Sequence, residues 1–469
     1  MKLTTAQRDR VAGTLLATAA GDALGAPYEF GPPLPADADV AMAGGGSFGW
    51  EPGEWTDDTS MAVAIAELTA TGRDLRDETT LDALAVRWAD WARTAKDVGN
   101  QTRQVLAVRT PSAASVGQAA ADLHARTHHT GGNGSLMRTA PVALAYLDDP
   151  DTLATVARAV STLTHPDPDA GDACVLWCLA IRHAVLTGEL DVRVGSASLP
   201  PERAAVWRGR IEIAERSTPA DFSRNGWVVE AFQAAWCAIA TTPLTDRASH
   251  LQAGLEAAVR GGRDADTVAA IAGGLLGAAH GASSVPAAWR RVLHGWPGLR
   301  ARDLVQLGLG TAGGEWRHPD YSGYAAPTLV RHPHDDGVWL GGVAALGDLP
   351  PGVDAVVSLC RIDPAVIPAT VADSNRLEVW LIDALEPEEN ENLPFVVADT
   401  VDAIRQLRDE GHTVLLHCVQ AHTRTPLVAA AYGAAIRGVP LDTALADVVA
   451  VLPRAGVERV RILLHRATS

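Results

Sequence analysis

Two short stretches of the 469-residue chain place oxygen-bearing side chains just before an apolar helical pattern. The first is Thr56-Asp57-Asp58, and the second contains Asp264, Asp266 and Thr267. Carboxylates and hydroxyls are hard oxygen ligands that suit Mg²⁺ or Mn²⁺, and no His or Cys cluster lies nearby to favour zinc. Asp and Thr are also common N-cap residues, so either stretch alone could be a helix cap. The occurrence of two such stretches favours a metal site.

A different chemistry is indicated by Cys418 and Arg424, which form a Cys-x5-Arg pattern. The pattern follows a strand-like run and precedes a helical one, so its backbone N–H groups would surround a phosphate at a helix N-terminus. A thiolate is favoured there as a nucleophile, and Arg424 would bind the phosphate through two hydrogen bonds. Thr425 would hydrogen-bond the leaving thiolate. Asp383, on a loop after another strand-like run, is the candidate general acid.

The elements that must position the first set of residues are helices. Apolar residues recur at helical spacing across residues 5–310, and no alternating strand pattern is visible there, which predicts an all-α domain over 1–310. The predicted helices are 5–20, 59–71, 79–94, 151–163, 171–187, 202–216, 227–241, 246–260 and 267–280. Gly273, Gly274 and Gly277 in the last of them would allow a neighbouring helix to approach closely. The Pro/Gly-rich loop 30–54 is long enough to be a lid.

The residue composition and the periodicity of the chain change after residue 310. Residues 311–334 are rich in Gly, His, Pro and Tyr without periodicity and are predicted to be a linker. Strand-like runs at 338–340, 355–359, 377–381 and 414–416 then alternate with helical patterns at 394–410, 426–437 and 441–451. This alternation predicts an α/β domain over 335–469 with a largely parallel sheet.

The composition of the chain limits which binding partners and which cellular compartment we expect. The net charge of −17 and the absence of a basic patch argue against general nucleic-acid binding. Five cysteines at unrelated spacings indicate a reducing, cytoplasmic setting. We read the apolar run 11–20 as the first helix of the fold and not as a signal peptide. No run approaches the ~18 consecutive apolar residues of a membrane span, so no membrane is expected.

Several motifs within residues 5–300 resemble those of the ADP-ribosylglycohydrolase family, in the family's order. They are Gly21-Asp22-Ala23-Leu24-Gly25 with Glu29, Trp55-Thr56-Asp57-Asp58-Thr59, Gly132-Asn133-Gly134-Ser135 with Met137-Arg138, Leu163-Thr164-His165, and the stretch of Asp264, Asp266 and Thr267. The segment Lys96-Asp97-Val98-Gly99-Asn100 is similar to one in the dinitrogenase reductase-activating glycohydrolase branch, which removes ADP-ribose from arginine. Trp227 departs from that branch, where Tyr is frequent.

The resemblance implies a hydrolase that cleaves the N- or O-glycosidic bond at the ribose anomeric carbon of an ADP-ribosylated protein or small molecule. It implies two Mg²⁺ or Mn²⁺ ions that hold ribose hydroxyls and orient a water. The implied metal ligands are Thr56, Asp57, Asp58, Asp264, Asp266 and Thr267. Glu29, as a mobile acid/base or gating carboxylate, and Asp97, at the scissile side, are the candidate catalytic groups. The candidate substrate-binding residues are Gly132, Asn133, Gly134, Ser135, Met137, His165 and Trp227. The alternatives are that Glu29 is a solvated loop residue, that the glycine loop is a plain turn and that His165 is a structural histidine.

Residues 335–469 resemble the dual-specificity phosphatase family. The resemblance rests on Val338-Trp339-Leu340-Gly341-Gly342 and Val356-Val357-Ser358-Leu359-Cys360 as well as on the Cys418 loop. It implies a phosphate-bearing ligand at this domain. Ala421 stands where the loop usually has its central Gly, and a positive φ there would strain the backbone. An active phosphatase and a phosphate-binding module both remain open.

Two other functions fit parts of the pattern. The chain could be a non-catalytic ADP-ribose-binding protein, although its full set of implied ligands argues against that. Alternatively, the phosphatase-like domain could be primary, with the helical domain supplying substrate binding.

Overall fold

The computed structural model describes residues 1–313, 319–321, 323–324 and 328–468. The chain divides into two compact units, residues 1–285 with 292–316 and residues 286–291 with 317–469. Part of the predicted linker 311–334 lies outside the described residues. The domain ranges 1–310 and 335–469 therefore stay predictions.

The first unit is built mainly from helices. Its region of the chain contains α1 (Thr5–Gly25), α2 (Asp57–Thr69), α3 (Glu78–Ala92), α4 (Asn100–Leu106), α5 (Ala113–Thr127), α6 (Ala140–Ala145), α7 (Pro150–Thr162), α8 (Pro168–Thr187), α9 (Pro201–Ala214), α10 (Val228–Thr241), α11 (Arg247–Arg260), α12 (Ala265–His280), α13 (Ala287–Val292) and α14 (Ala301–Thr311). Most of α13 belongs to the second unit. The predicted helices are all present, with ends displaced by a few residues. A short antiparallel pair of β1 (His294–Gly295) and β2 (Leu299–Arg300) is an exception to the all-α prediction.

Glycines hold α1 and α12 against each other at the centre of the first unit. A Cβ on Gly273 would collide with the backbone of Ala17, and a Cβ on Gly21 would collide with the backbone of Ala269. The predicted close approach at Gly273 is therefore confirmed, and α1 is the neighbour. The end of α1 is brought to the start of α12, because a Cβ on Gly25 would strike the backbone of Asp266.

The expectation about membranes needs a correction for α8. By length and composition this helix is apolar enough to cross a membrane, and it is the one such helix among the described residues. The relevant window is 78% buried inside the protein, as in a helix at the centre of a helical core. The finding is weak evidence for a membrane span.

The second unit contains a mixed five-stranded sheet. Its elements are β3 (Leu329–His332), β4 (Asp335–Gly342), β5 (Val353–Ser358), β6 (Arg376–Glu378), α15 (Leu393–Asp409), β7 (Thr413–Cys418), α16 (Arg424–Arg437), α17 (Leu441–Val451) and α18 (Val457–Thr468). The strand order is β3-β4-β7-β5-β6. The β4–β7, β7–β5 and β5–β6 pairs are parallel, and β3–β4 is antiparallel. The sheet is thus largely parallel, with one antiparallel edge.

Successive side chains of the central strand β7 pack into two different hydrophobic cores. Val414 and Leu416 of β7 pack into one buried cluster, and Leu415 packs into the other. Side chains of successive strand residues point to opposite faces, so both faces of this strand are covered. The strand ends at Cys418 and α16 begins at Arg424, which fixes the loop between them at the carboxyl end of the sheet.

Candidate active site

The two oxygen-bearing stretches lie at the N-termini of α2 and α12, and neither stretch caps its helix through a side chain. Thr56 precedes α2 and Asp264 precedes α12, and neither side chain accepts a capping hydrogen bond. At α1 and α11, by contrast, the side chains of Thr4 and Asp246 do accept such bonds. The helix-cap alternative is therefore not supported at either stretch.

Carboxylates from separate parts of the first unit converge at these helix N-termini. One oxygen each from Asp22, Asp58 and Asp266 lies within 4.8 Å of the others, and the same holds for Glu29, Asp264 and Asp266. The two groups share Asp266, so they mark two adjacent positions where a cation could be held. An all-carboxylate set suits a hard divalent cation.

Unpartnered oxygens test whether a cation fits. Asp58 Oδ1, Asp266 Oδ1 and Glu29 Oε2 are buried and have no hydrogen-bond partner within the described ranges. A buried carboxylate oxygen without a partner is costly, and a metal ion is one of the few partners that satisfies it. The residues present therefore fit a divalent cation.

The electrostatics of the cluster also favour a bound cation. Burial, together with the charges of neighbouring carboxylates, raises the pKa of Asp57, Asp58 and Asp266 well above the usual range. Burial and then Asp264 raise the pKa of Glu29 to about 9. Like charges in a desolvated site disfavour one another, and a divalent cation would offset this repulsion.

Hydroxyl and amide groups orient the carboxylates. Thr56 Oγ1 donates to Asp58 Oδ2 at 2.9 Å, and Thr267 Oγ1 lies 3.4 Å from the same oxygen. Asn133 Nδ2 donates to Asp264 Oδ2 at 2.8 Å. The structure thus brings both threonines to the cluster, and it places the Asn133 side chain on a carboxylate of that cluster.

Asp22 is the residue of the cluster to which the sequence analysis gave no role. It accepts hydrogen bonds from the backbone N–H of Thr56 at 2.9 Å and of Thr59 at 3.0 Å, and from the Thr59 hydroxyl at 2.7 Å. Burial raises the pKa of Asp22 to about 6, and these hydrogen bonds oppose the rise. A carboxylate on the buried face of the apolar helix α1 is the signal that could have identified it. Asp22 fixes the start of α2 as well as facing the cluster.

Asp57 and Asp97 lie beside the two carboxylate groups. Asp57 Oδ1 is 3.4 Å from the Thr56 hydroxyl, and the carboxylate accepts a hydrogen bond from the backbone of Gly99. Burial raises the pKa of the half-buried Asp97, and the charge of Asp264 adds to the rise. Both residues line a cavity of about 570 Å³ next to the cluster.

The glycine loop presents its backbone, while the side chains of Ser135 and Met137 are buried. Ser161 Oγ donates to Ser135 Oγ at 2.9 Å, and Met137 is 4% exposed. The backbone N–H of Asn133 donates to Gly226. Gly134 and Ser135 continue the 3₁₀ helix Asn133–Ser135, so the first N–H groups of that helix lie at its N-terminus. Only the backbone of this loop is therefore available to an anionic ligand.

His165 lies directly beneath this loop. A Cβ on Gly134 would come within 3.1 Å of the His165 ring, and one on Gly132 within 3.4 Å. His165 Nδ1 is 2.7 Å from Thr164 Oγ1, and burial lowers the pKa of the ring well below its usual range. The neutral ring supports the loop from inside, as the structural alternative for His165 expects.

Trp227 lies against the other side of the loop. It forms an antiparallel bridge with Gly132, and Val228 N–H donates to the Gly131 carbonyl at 2.9 Å. The Arg224 guanidinium is 5.3 Å from the Trp227 ring centroid. The structure thus places the half-buried indole next to the loop to which the resemblance assigns substrate binding.

The loop after Glu29 is tied to the loop before α12. Arg263 N–H donates to the Gly31 carbonyl at 2.7 Å, and Phe30 N–H donates to the Arg263 carbonyl. Phe30 and Arg263 have φ values of 63° and 61°, a region that costs free energy for non-Gly residues. These bonds hold Glu29 and Asp264 at one place.

The Cys418 loop of the second unit borders a cavity of about 440 Å³ that Asp383 also lines. Arg424 Nη1 donates to the carbonyls of Leu359 at 2.7 Å and Leu381 at 3.2 Å. Arg424 Nε is buried without a hydrogen-bond partner and lies 3.8 Å from Asp383 Oδ2. The structure therefore brings Cys418, Asp383 and Arg424 into one neighbourhood.

Two details of this loop bear on the predictions. Ala421 has a φ of 56°, so the positive φ named as a condition in the sequence argument is present. Thr425 Oγ1 donates to the Gly341 carbonyl at 3.4 Å, a long bond, so the hydroxyl faces a backbone oxygen in this state. The predicted hydrogen bond from Thr425 to the thiolate stays a prediction.

Comparisons with known proteins differ between the two units. For the second unit, the crystal structure of human DUSP28 is similar at 23% identity and a TM-score of 0.26, over 31% of this chain and 97% of that chain. Values this low do not assign a function.

For the first unit, ADP-ribosylarginine hydrolase Tri1 of Pseudomonas putida is 31% identical, over 60% of this chain and 73% of the relative. The ADP-ribosyl-[dinitrogen reductase] glycohydrolase of Rhodospirillum rubrum is 30% identical, over 60% of this chain and 89% of the relative. The family model for ADP-ribosylglycohydrolase matches residues 3–316. The chain belongs to the ADP-ribosylglycohydrolase family.

Proposed function

We propose that the first unit is a metal-dependent hydrolase that cleaves the glycosidic bond at the ribose anomeric carbon of ADP-ribosylated substrates. The observation that carries this proposal is the pair of carboxylate groups sharing Asp266, in which three buried oxygens have no hydrogen-bond partner within the described ranges. Bound Mg²⁺ or Mn²⁺ would supply the positive charge that holds ribose hydroxyls and orients a water. The six threonine and aspartate side chains named from the sequence, with Asp22 added, are the proposed surroundings of these ions.

The chain's own groups supply the remaining steps. Glu29 is the proposed general acid, because burial and the nearby Asp264 carboxylate favour its protonated form. Asn133 holds the Asp264 carboxylate in place. The backbone N–H groups at the start of the Gly132–Ser135 loop are the proposed donors to the diphosphate. Met137, His165 and Trp227 would act mainly by shaping this loop.

We further propose that the leaving group is arginine. The cavity beside Asp57 and Asp97 is lined by four tryptophans and by additional carboxylates, namely Trp50, Trp55, Trp91, Trp296, Glu51 and Glu54. Aromatic faces and carboxylates together favour a planar cation such as guanidinium. Lys96 Nζ lies 5.0 Å from the Trp50 ring centroid and forms an ion pair with Glu54, so this wall already holds one side-chain cation. The similarity to ADP-ribosylarginine hydrolase Tri1 of Pseudomonas putida supports this leaving group.

A panel of linkages tests the leaving group. We expect the purified chain to release ADP-ribose from an ADP-ribosylarginine peptide at least about tenfold faster, by kcat/KM, than from a matched serine-linked peptide. A tenfold ratio corresponds to about 1.4 kcal/mol of differential transition-state binding. A faster rate on the serine-linked peptide would contradict the arginine assignment and leave the hydrolase proposal standing.

Replacing Asp57 with Ala is expected to weaken metal binding without unfolding the protein. Because the folded-state pKa of Asp57 is raised, its ionisation disfavours the folded state at any pH above about 4, where the unfolded carboxyl ionises. The metal-free D57A protein should therefore have a Tm at pH 8 equal to or above that of the metal-free wild type. This advantage should shrink as the pH falls towards about 4. Thermal melts after dialysis against EDTA, at pH 5 and pH 8, measure it, and a large drop in Tm at pH 8 would instead support a helix-capping role.

For the second unit we propose a cysteine-dependent phosphatase activity. The observations that favour it are the cavity that Cys418 and Asp383 line together and the 3.8 Å distance from Arg424 Nε to Asp383 Oδ2. The Cys418 thiolate would attack phosphorus while Arg424 holds the phosphate oxygens and Asp383 protonates the leaving oxygen. Water would then cleave the resulting S–P bond, which releases phosphate and restores the thiolate. Hydrolysis of a small aryl phosphate by the wild-type chain tests it, and phosphate binding without turnover would indicate a binding module.

Replacing Ala421 with Gly is expected to raise the kcat of this activity. At a φ of 56° the Cβ of Ala421 costs roughly 1–2 kcal/mol, which Gly would not incur. Relief of that strain corresponds to a rise of at most about thirtyfold, and the flexibility of Gly would reduce it. Steady-state kinetics on a small phosphoester measure the change. An unchanged or lower kcat in A421G would mean that the strain at Ala421 does not limit the reaction.

A further inference from the structure

The cavity at Cys418 has a second, basic wall that the phosphatase pattern does not account for. Arg454 and Arg459, which lie outside the Cys418–Arg424 loop, line it together with His422 of that loop. Arg454 lies between α17 and α18, and Arg459 lies in the first turn of α18. The Gly456 N–H donates to the His422 carbonyl at 2.8 Å, which ties this wall to the Cys418 loop.

These basic groups are poorly neutralised. The Arg459 guanidinium is 3.4 Å from Asp383 Oδ1, and its side chain is 46% exposed. The side chains of Arg454 and His422 form no hydrogen bond or ion pair within the residues that the structure describes. In a chain with a net charge of −17, a pocket with two arginines and one carboxylate in its lining stands out as locally cationic.

The size of the cavity leaves room for more than one phosphate. A phosphate group takes the space of a few waters at roughly 30 Å³ each, whereas the cavity measures about 440 Å³. The backbone N–H groups of the Cys418 loop would hold the first phosphate. Arg454 and Arg459 then remain for another anionic group of the same ligand.

We infer that this cavity takes a small molecule with two phosphate groups, one at the Cys418–Arg424 loop and the other at Arg454 and Arg459. The inference rests on the proposed phosphate site of the second unit. It identifies Arg454 and Arg459 as specificity residues that contact the ligand away from the phosphorus under attack.

A matched pair of non-hydrolysable probes tests the inference on the full chain. Calorimetric titration should show methylenediphosphonate, with two anionic groups, binding at least about tenfold more tightly than methylphosphonate, with one. One charge-assisted hydrogen bond contributes enough for such a ratio. Arg454→Gln and Arg459→Gln should each reduce the ratio several-fold, and Arg454→Lys should retain most of it. Arg437→Gln, at an exposed arginine that ends α16 and does not line the cavity, is the matched control and should leave the ratio unchanged.

The outcomes separate this inference from the phosphatase proposal. Equal affinity for the two probes, or a preference that survives both Arg454→Gln and Arg459→Gln, would overturn the inference even if an aryl phosphate is hydrolysed. A preference that depends on Arg454, in a chain that hydrolyses no phosphoester, would support the two-phosphate ligand and refute only the turnover. Circular dichroism of each variant at 25 °C excludes unfolding as the cause.

Discussion

Replacing Asp266 with Asn is expected to lower metal-dependent ADP-ribose release by on the order of 10²–10³-fold, the loss typical for one electrostatic stabiliser of a transition state. Asp266 belongs to both carboxylate groups, and its Oδ1 is buried without a hydrogen-bond partner in the described part of the chain. An amide removes the charge and one ligand oxygen while keeping the shape. The effect should appear in kcat and in the concentration of Mg²⁺ or Mn²⁺ needed for half-maximal rate.

Asp246→Asn is the matched control for this experiment. Asp246 caps α11 by accepting a hydrogen bond from Ser249 N–H at 2.8 Å, and Asn is an equally good cap. This variant also loses one negative charge from the first unit, so it should retain the wild-type rate and metal requirement. Equal activity of Asp266→Asn and Asp246→Asn would contradict the metal-site assignment.

Replacing Cys418 with Ser is expected to lower hydrolysis of a small phosphoester by on the order of 10⁴–10⁶-fold, the range seen when a nucleophile or its partner is removed. Cys418 ends β7 and borders the cavity that Asp383 lines, so the change affects the attacking atom. The same variant should release ADP-ribose at the wild-type rate. EDTA should abolish ADP-ribose release and leave phosphoester hydrolysis unchanged. The first site is built from hard oxygen ligands, whereas the second needs no metal in this scheme.

Cys237→Ser is a suitable thiol control. Cys237 Sγ donates to the Ser217 carbonyl at 3.1 Å in the first unit, and a serine hydroxyl can make the same bond. This variant should retain both activities. Equal EDTA sensitivity of the two activities, or full phosphatase activity in Cys418→Ser, would refute the assignment of separate chemistry to the two units.

Local patterns were sufficient to predict most elements. The helix 441–451 was predicted with the bounds that α17 has, and the strand-like run 414–416 lies within β7. Weakly periodic segments were missed, among them α4, α5 and the charged helix α18. In such segments tertiary packing, which single-sequence periodicity does not contain, determines the structure.

The candidate site likewise combines residues that local sequence patterns predict with residues that only tertiary contacts bring in. The carboxylates at residues 57–58 and 264–266 were found because each set stands at a helix start. Asp22 was omitted because its partners are Thr56 and Thr59, brought to it when the glycines of α1 and α12 let the two backbones meet. The Asn133 side chain donates a hydrogen bond to Asp264, whereas the sequence analysis assigned it to substrate binding. This hydrogen bond likewise depends on a contact between distant parts of the chain.

The metal requirement of ADP-ribose release tests the central proposal most directly. Protein dialysed against EDTA would be assayed on an ADP-ribosylarginine peptide while Mg²⁺ or Mn²⁺ is added back, and the initial rate of ADP-ribose release would be measured. Because the carboxylate cluster has three buried oxygens that fit a cation, we predict no measurable release without metal and a saturable recovery with it. Full release by the metal-free protein would contradict the proposal that this cluster works as a metal centre.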